Sequence, residues 1–218
     1  NSINIFKQKI TKSKYFINFT FKYAKRIGYS GENTFKILSL INSKKILQQI
    51  DFNKLTSCDL IAHTRWASVG DVNMSNTHPL IEKKSNLLNL SFMNGDINNY
   101  NLLKKELISR KSFILKDKKC TNDLQPISSL IIENKYKINN ILNGSYVIIN
   151  FNSTNPEKIS IFKKGSQGLY YTVDIDSNFH LASDVYGLIN KSNKFKKFND
   201  DGTFLINKSF IKNLKLKK

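Results

Sequence analysis

Residues able to do chemistry are concentrated between positions 61 and 80, where the chain reads IAHTRWASVGDVNMSNTHPL. This stretch contains two of the three histidines and the single tryptophan. Lysine supplies nearly all of the positive charge elsewhere, so the arginine at position 65 suggests a need for a planar fork of donors. Such a fork can bind a carboxylate through two parallel hydrogen bonds. The residues alone leave a second interpretation open, in which Arg65 lies on the surface beside a core tryptophan, Trp66.

Asn94 and Gly95 form a second candidate group. The alternating apolar stretch 87–93 predicts a strand, and leucines at helical spacing follow from position 102. The sequence therefore predicts a strand, a tight Asn-Gly turn and a helix. A glycine in such a turn can direct backbone N–H groups to one point, and the Asn94 amide adds a donor, as in an oxyanion hole. The plain alternative is a turn with no role in binding.

Asp123 stands before a stretch with helical apolar spacing at 127–131. Either Asp123 or Thr121 is predicted to cap that helix, since a side-chain oxygen at a helix start accepts hydrogen bonds from free backbone N–H groups. The alternative use of the Asp123 carboxylate is to bind an ammonium group. Together with Arg65, it would then suit a ligand that carries both charges.

The elements that hold these residues are predicted to be mostly antiparallel strands. A short buried strand at 58–62 leads into Arg65, and 35–40 has β-type apolar spacing. Further strands are predicted at 144–151, 179–184 and 203–206. Strands at 159–163 and 169–173 are predicted to form a hairpin around residues 165–168. No linker rich in Pro, Gly or Ser and no internal repeat divides the sequence. These features indicate one α+β domain.

The net charge of +19 raises the question of nucleic acid. The lysines are scattered through every segment, and no nucleic-acid-binding signature accompanies them. We therefore interpret the charge as compositional and expect no specific nucleic-acid partner; a basic nucleic-acid-binding protein is the alternative. No run of 18 apolar residues exists, so no membrane span is predicted. Cys58 and Cys120 match neither a disulfide framework nor a zinc pattern, which favours a reduced, cytoplasmic protein without a metal site. We also expect no cofactor.

The motifs taken in order resemble the class II glutamine amidotransferase domain, especially the glutaminase half of the glucosamine-6-phosphate synthases. The matching motifs are HTRWAS at 63–68, Asn76 with His78-Pro79, Asn94-Gly95, Asn122-Asp123, LNGSY at 142–146 and LASD at 181–184. The resemblance covers roughly residues 40–210, within a single domain over 1–218. It implies a four-layer αββα sandwich of two antiparallel sheets between helices, with the first strand missing from this chain.

The resemblance also implies a reaction and roles for individual residues. The side-chain amide of glutamine is cleaved, and the ammonia serves amino-sugar synthesis. By position, Arg65 binds the α-carboxylate of glutamine and Asp123 the α-ammonium group. Trp66 and Ser68 complete the substrate-binding set, with Ser68 at a position where the family usually has Thr. Asn94 and Gly95 form the oxyanion hole.

One departure from the family pattern affects catalysis directly. The family's nucleophile is an N-terminal cysteine whose own α-amine acts as the base, whereas position 1 is Asn. An internal cysteine such as Cys58 or Cys120 has no free α-amine. In addition, Val69 replaces a histidine that is common in the family. Two explanations stay open: a strand led by cysteine lies upstream, or the domain is a glutamine-binding regulatory module without catalysis. In the first case we expect a sugar-phosphate isomerase-type domain after this one, and a homodimer.

Overall fold

The structure is a computed structural model that describes residues 2–9, 15–25, 31–43, 58–84, 87–110, 119–133 and 137–215. The strands in these ranges are β1 (Ser2–Lys9), β2 (Tyr15–Lys22), β3 (Leu80–Lys84), β4 (Leu87–Ile97), β5 (Gly144–Asn152), β6 (Ile159–Lys164), β7 (Tyr170–Val173), β8 (Phe179–Ala182), β9 (Lys196–Lys197) and β10 (Gly202–Ile206). The α-helices are α1 (Glu32–Ser43), α2 (Tyr100–Ser109), α3 (Leu124–Ile132), α4 (Ile138–Ile141) and α5 (Lys208–Lys215). No helix among these is long and apolar enough to cross a membrane.

A five-stranded antiparallel sheet in the order β10-β6-β5-β4-β3 forms the centre of the fold. Its middle strands, β4 and β5, carry the apolar runs from which strands were predicted, and both are largely buried. Their pairing places Asn94 opposite Val147 and Gly95 opposite Tyr146. The central ladder therefore extends through the predicted oxyanion residues.

The two faces of this sheet bury different sets of side chains, because neighbouring residues of a strand point to opposite faces. Tyr146 and Ile148 pack with α2, α3 and α4, whereas Val147 packs towards the three-stranded sheet β8-β7-β9 and α5. On the same side as Val147, Phe151 stacks on Phe16 of the β1–β2 hairpin. The described residues thus place helices, a sheet and a second β layer in that order. The mixed class with antiparallel sheets is confirmed, and the fourth layer stays a prediction.

The buried strand predicted at 58–62 is wrong. Residues 58–67 have no regular secondary structure, Cys58 is exposed and Leu60 is 91% exposed. Ile61 packs on the apolar cluster around Phe92. Apolar composition predicts a strand, but a strand also needs a neighbour for its backbone hydrogen bonds, and no such partner is found within the described ranges.

Two other predicted elements differ from the structure. The β-type stretch 35–40 lies in α1, whose first turn is closed by the Phe35 N–H donating to the Gly31 carbonyl and carries the favourable acid Glu32. The strands β6 and β7 do not form a hairpin, because β6 pairs with β5 and β10 while β7 pairs with β8 and β9. The glycine-containing segment 165–168 instead carries the chain from one sheet to the other.

Candidate functional site

The structure brings all six predicted site residues to one cleft of about 120 Å³. Those residues are Arg65, Trp66, Ser68, Asn94, Gly95 and Asp123. They come from three separate segments: the irregular stretch after residue 58, the end of β4, and the start of α3. His63, His78, Met93 and Asn122 also line the cleft. Residues that are far apart in sequence therefore share one concave surface.

Asn94 and Gly95 lie inside the β4 ladder, so the predicted tight turn is wrong. The turn comes later, at residues 98–99, and α2 follows it. Gly95 has a φ of 107°, and a Cβ atom there would lie 2.1 Å from the Ser145 carbonyl oxygen. Only glycine suits this backbone without strain. The close approach of β5 thus fixes Gly95 in a distorted part of the strand, while the Asn94 side chain is exposed at the cleft.

Asp123 is 3% exposed and faces the cleft from the residue before α3. Its Oδ2 atom accepts a hydrogen bond of 2.9 Å from the Ile97 N–H, which ties α3 to the end of β4. Burial raises the pKa of Asp123, and the Ile97 N–H and the charge of Arg65 act in the opposite direction. The predicted cap by Asp123 or Thr121 is wrong, because Asn122 Oδ1 accepts from the Leu124 N–H at 2.8 Å. The Asp123 carboxylate is therefore not occupied by capping its own helix.

Arg65 is partly buried, and its guanidinium holds the loop that follows it. Nη2 donates to the Val69 carbonyl, and Nη1 lies 3.5 Å from the Asp71 carbonyl oxygen. Burial lowers the pKa of Arg65, and the charge of Asp123 opposes that shift. The neighbouring Trp66 is 95% exposed. The interpretation as a surface arginine beside a core tryptophan is therefore wrong for both residues.

Ser68 and Asp96 form a contact across the rim of the cleft. The Ser68 hydroxyl donates to Asp96 Oδ1, and both side chains are exposed. This bond uses the one proton that Ser68 can donate. Donation from Ser68 to a ligand carboxylate stays a prediction, and it would require this contact to break.

Asn76 joins the loop after Arg65 to the segment before α3. Its side chain is fully buried, and Oδ1 accepts from the Thr121 N–H at 2.7 Å and from the Asn122 N–H at 3.1 Å. Its Nδ2 donates to the Asp71 carbonyl at 2.9 Å and to Thr121 Oγ1 at 3.0 Å. The sequence indicated Asn76 only as part of a matching motif; its spacing gives no sign of the partner segment.

His63 and His78 form a pair beside Met93 that sequence reasoning did not assign to the site. His63 Nε2 lies 2.9 Å from the Met93 carbonyl oxygen, and the Met93 N–H donates to His78 Nδ1 at 3.3 Å. Burial lowers the pKa of His63 and sets the pKa of His78 well below its ordinary value. Both rings are therefore neutral at pH 7. Nothing in the spacing of two histidines in a loop indicates a shared backbone partner.

Among the residues that the structure describes, the cleft offers charges and donors rather than a metal site or a thiol. The described residues contain no group of three or more His, Cys, Asp or Glu side chains placed to hold a metal ion. Cys58 is exposed and Cys120 is buried, and neither is among the residues that line the cleft. A cation, a carboxylate and amide donors that face one small space can bind a zwitterion with a polar side chain.

Comparison with protein families supports this chemistry. The family described as "Glutamine amidotransferase domain" matches residues 53–213. A glutamine–fructose-6-phosphate aminotransferase (isomerizing) of Bacillus cereus is 31% identical over 175 residues, which cover 77% of this chain and 28% of that protein. The Listeria monocytogenes protein of the same name is 30% identical over 158 residues, 68% of this chain and 25% of that protein. The chain thus spans about a quarter of the length of these relatives.

Solved structures share the fold. A structure of "the allosteric regulatory enzyme of purine biosynthesis" superimposes with a TM-score of 0.56 at 18% identity, over 67% of this chain and 32% of that one. The Bacillus subtilis glutamine phosphoribosylpyrophosphate amidotransferase gives a TM-score of 0.53 at 16% identity, with the same coverage. At these identities the likeness concerns the fold alone.

Proposed function

Because the chain belongs to the family of glutamine amidotransferase domains, we propose that its cleft binds free L-glutamine. One observation carries the proposal: Arg65, Asp123 and the Asn94–Gly95 pair line the same cleft. Glutamine has an α-carboxylate, an α-ammonium group and a side-chain amide. The three parts of the cleft offer one matching partner for each.

The α-carboxylate is assigned to Arg65 and the α-ammonium group to Asp123. A guanidinium has five N–H donors, and two of its nitrogen atoms are directed at loop carbonyls, which leaves further donors for a ligand. Asp123 accepts one bond from the Ile97 N–H through Oδ2, and a carboxylate has capacity for more. A bound ammonium group would also offset the burial that raises the pKa of Asp123.

The side-chain amide is assigned to Asn94 and Gly95. When the amide carbon is attacked, its oxygen gains negative charge, and donors already in place stabilise that charge. The Asn94 side chain and a backbone N–H at Gly95 supply such donors. Trp66 and Ser68 belong to the rim, where they can cover the ligand once it is bound.

In a longer protein, this domain would act as a glutaminase that supplies ammonia for amino-sugar synthesis. The names of the two relatives support that acceptor, since both are glutamine–fructose-6-phosphate aminotransferases. Cleavage needs a cysteine with a free α-amine, and neither Cys58 nor Cys120 has one. Labelling of the full-length protein with 6-diazo-5-oxo-norleucine tests this step. An adduct on an N-terminal cysteine supports the glutaminase, and its absence together with retained glutamine binding supports the regulatory module.

Calorimetric titration of this chain with L-glutamine tests the binding proposal. We expect Arg65→Ala and Asp123→Asn each to weaken binding by a factor of roughly 100, since removal of one partner from a buried charge pair costs on the order of 3 kcal/mol. Asparagine keeps an oxygen that can accept from the Ile97 N–H, so the fold is retained. Arg110→Ala and Asp200→Asn are the matched controls, because both residues are exposed and outside the cleft. Equal affinity in all five proteins would reject the proposal.

A further inference from the structure

The edge of β4 at Met93 is completed by two side chains instead of a strand. The β3–β4 ladder ends where Leu80 pairs with Ser91, so β3 does not reach Met93. At that position His78 Nδ1 accepts from the Met93 N–H at 3.3 Å, and His63 Nε2 lies 2.9 Å from the Met93 carbonyl. Buried backbone groups need such partners. The imidazole pair therefore replaces the missing strand at this edge.

The Met93 carbonyl and the Asn94 N–H belong to one planar peptide group. A hydrogen bond that fixes the direction of this carbonyl therefore also fixes the orientation of the peptide plane and the position of the Asn94 nitrogen. On the opposite edge, β5 holds Asn94 through the pairing with Val147. The Met93–Asn94 peptide is thus held by β5 at Asn94 and by His63 and His78 at Met93.

The same pair reaches the segment that carries Asp123. His78 is 6% exposed, and its Nε2 atom lies 3.3 Å from Nδ2 of Asn122, the residue that caps α3. The rings of His63 and His78 lie 4.5 Å apart at 50°. The charged or titratable groups that act on His78 are His63, Arg65 and Lys22, and all three lower its pKa further. A neutral His78 can accept from the Met93 N–H, and a protonated one cannot.

We propose that His63 and His78 are positioning residues that hold the Met93–Asn94 peptide in the orientation needed to bind the side-chain amide of glutamine. This inference rests on the function proposed above. It assigns the two histidines no contact with the reacting atoms. Their hydrogen bonds to Met93 act on the amide end of the ligand, because the α-carboxylate and α-ammonium groups are assigned to Arg65 and Asp123.

A comparison of two ligands isolates that effect. L-norvaline has the α-groups of glutamine and an alkyl side chain of similar length without the amide. In the wild-type chain we expect glutamine to bind more tightly than norvaline. His63→Leu removes the donor to the Met93 carbonyl, and His78→Leu removes the acceptor for its N–H. Each should reduce the preference for glutamine about tenfold, the value of one well-placed hydrogen bond, while norvaline binding persists and reports an intact fold.

Conservative variants provide the rescue. Gln at position 63 places an amide N–H near the position of the imidazole Nε2, and Asn at position 78 places an oxygen near that of Nδ1. We expect His63→Gln and His78→Asn to retain most of the preference for glutamine. His180→Leu is the matched control, since the third histidine pairs with Asp174 outside the cleft. The preference of His180→Leu for glutamine over norvaline should equal that of the wild type.

The outcomes separate this inference from the proposed function. If the wild-type chain binds neither ligand, the proposed function fails and this inference fails with it. If the wild type prefers glutamine and both leucine variants keep that preference, the positioning role alone is overturned. Equal weakening of glutamine and norvaline in the leucine variants would also overturn it, because that result indicates general damage to the cleft.

Discussion

Replacement of Asn76 by alanine should strongly destabilise the protein, although Asn76 touches no proposed ligand. The side chain is fully buried and makes four hydrogen bonds. Three of them connect the loop after Arg65 with residues 121–122, and the fourth is to the Asp71 carbonyl within that loop. Asn76→Ala leaves the N–H groups of Thr121 and Asn122 without their acceptor. Asn122 is buried, and its N–H group costs about 1–3 kcal/mol without an acceptor, whereas Thr121 is exposed and its N–H group can bond to water. The expected loss is therefore about 1–3 kcal/mol. That is a large fraction of the free energy of unfolding of a typical domain.

Chemical denaturation measures this loss, and Asn155→Ala is the matched control. Asn155 is exposed, and its side chain makes one bond of 3.3 Å to Thr154 Oγ1, so its replacement should change the free energy of unfolding by less than about 0.5 kcal/mol. Hydrogen exchange localises the effect: the amides of Thr121 and Asn122 should exchange faster in Asn76→Ala. If the two alanine variants are equally stable and these amides keep their protection, the reasoning about Asn76 is wrong.

Three further predictions concern the backbone of β4 and the titrating groups of the cleft. Gly95→Ala should lower the free energy of unfolding by at least about 3 kcal/mol, because of the positive φ at Gly95 and the close contact of an added Cβ with the Ser145 carbonyl. Gly202→Ala is the control: an added Cβ there lies 3.6 Å from its nearest neighbour, so the same denaturation assay should show a loss under about 1 kcal/mol. Burial holds the pKa of His63 and His78 below 6.5, so the unfolded chain takes up protons at these residues more readily than the folded chain as the pH falls below 6.5. Stability should fall there by up to about 1.4 kcal/mol per pH unit for each histidine, and less in His78→Asn. Because the pKa of Asp123 is raised above 3.8, calorimetry should show glutamine affinity falling as acid protonates that carboxyl, with no such fall in Asp123→Asn.

The central strands could be predicted from sequence, since their apolar runs are long and their burial follows from local pattern. β4 and β5 are present where the apolar stretches predicted them, and α2 and α3 follow the helical spacing. The order of motifs also identified the residues that meet in the cleft. The strands and helices are features that individual segments encode, whereas the cleft residues were indicated by the resemblance of the ordered motifs to a known family.

The remaining features depend on partners that lie far away in the chain. Residues 58–62 are apolar enough for a strand, yet no neighbouring strand pairs with them in the part of the chain that the structure describes. The Asn94–Gly95 pair has the composition of a turn, but the approach of Ser145 keeps it within a ladder. The link from Asn76 to residues 121–122 depends on the tertiary fold, which local spacing does not encode.

A crystal structure of this chain with L-glutamine tests the central claim most directly. We predict the α-carboxylate on the Arg65 guanidinium, the α-ammonium group within about 3 Å of an Asp123 oxygen, and the side-chain amide oxygen directed at Asn94 and Gly95. Glutamine bound in the reverse orientation, or density for it at another surface with an empty cleft between Arg65 and Asp123, would contradict the account.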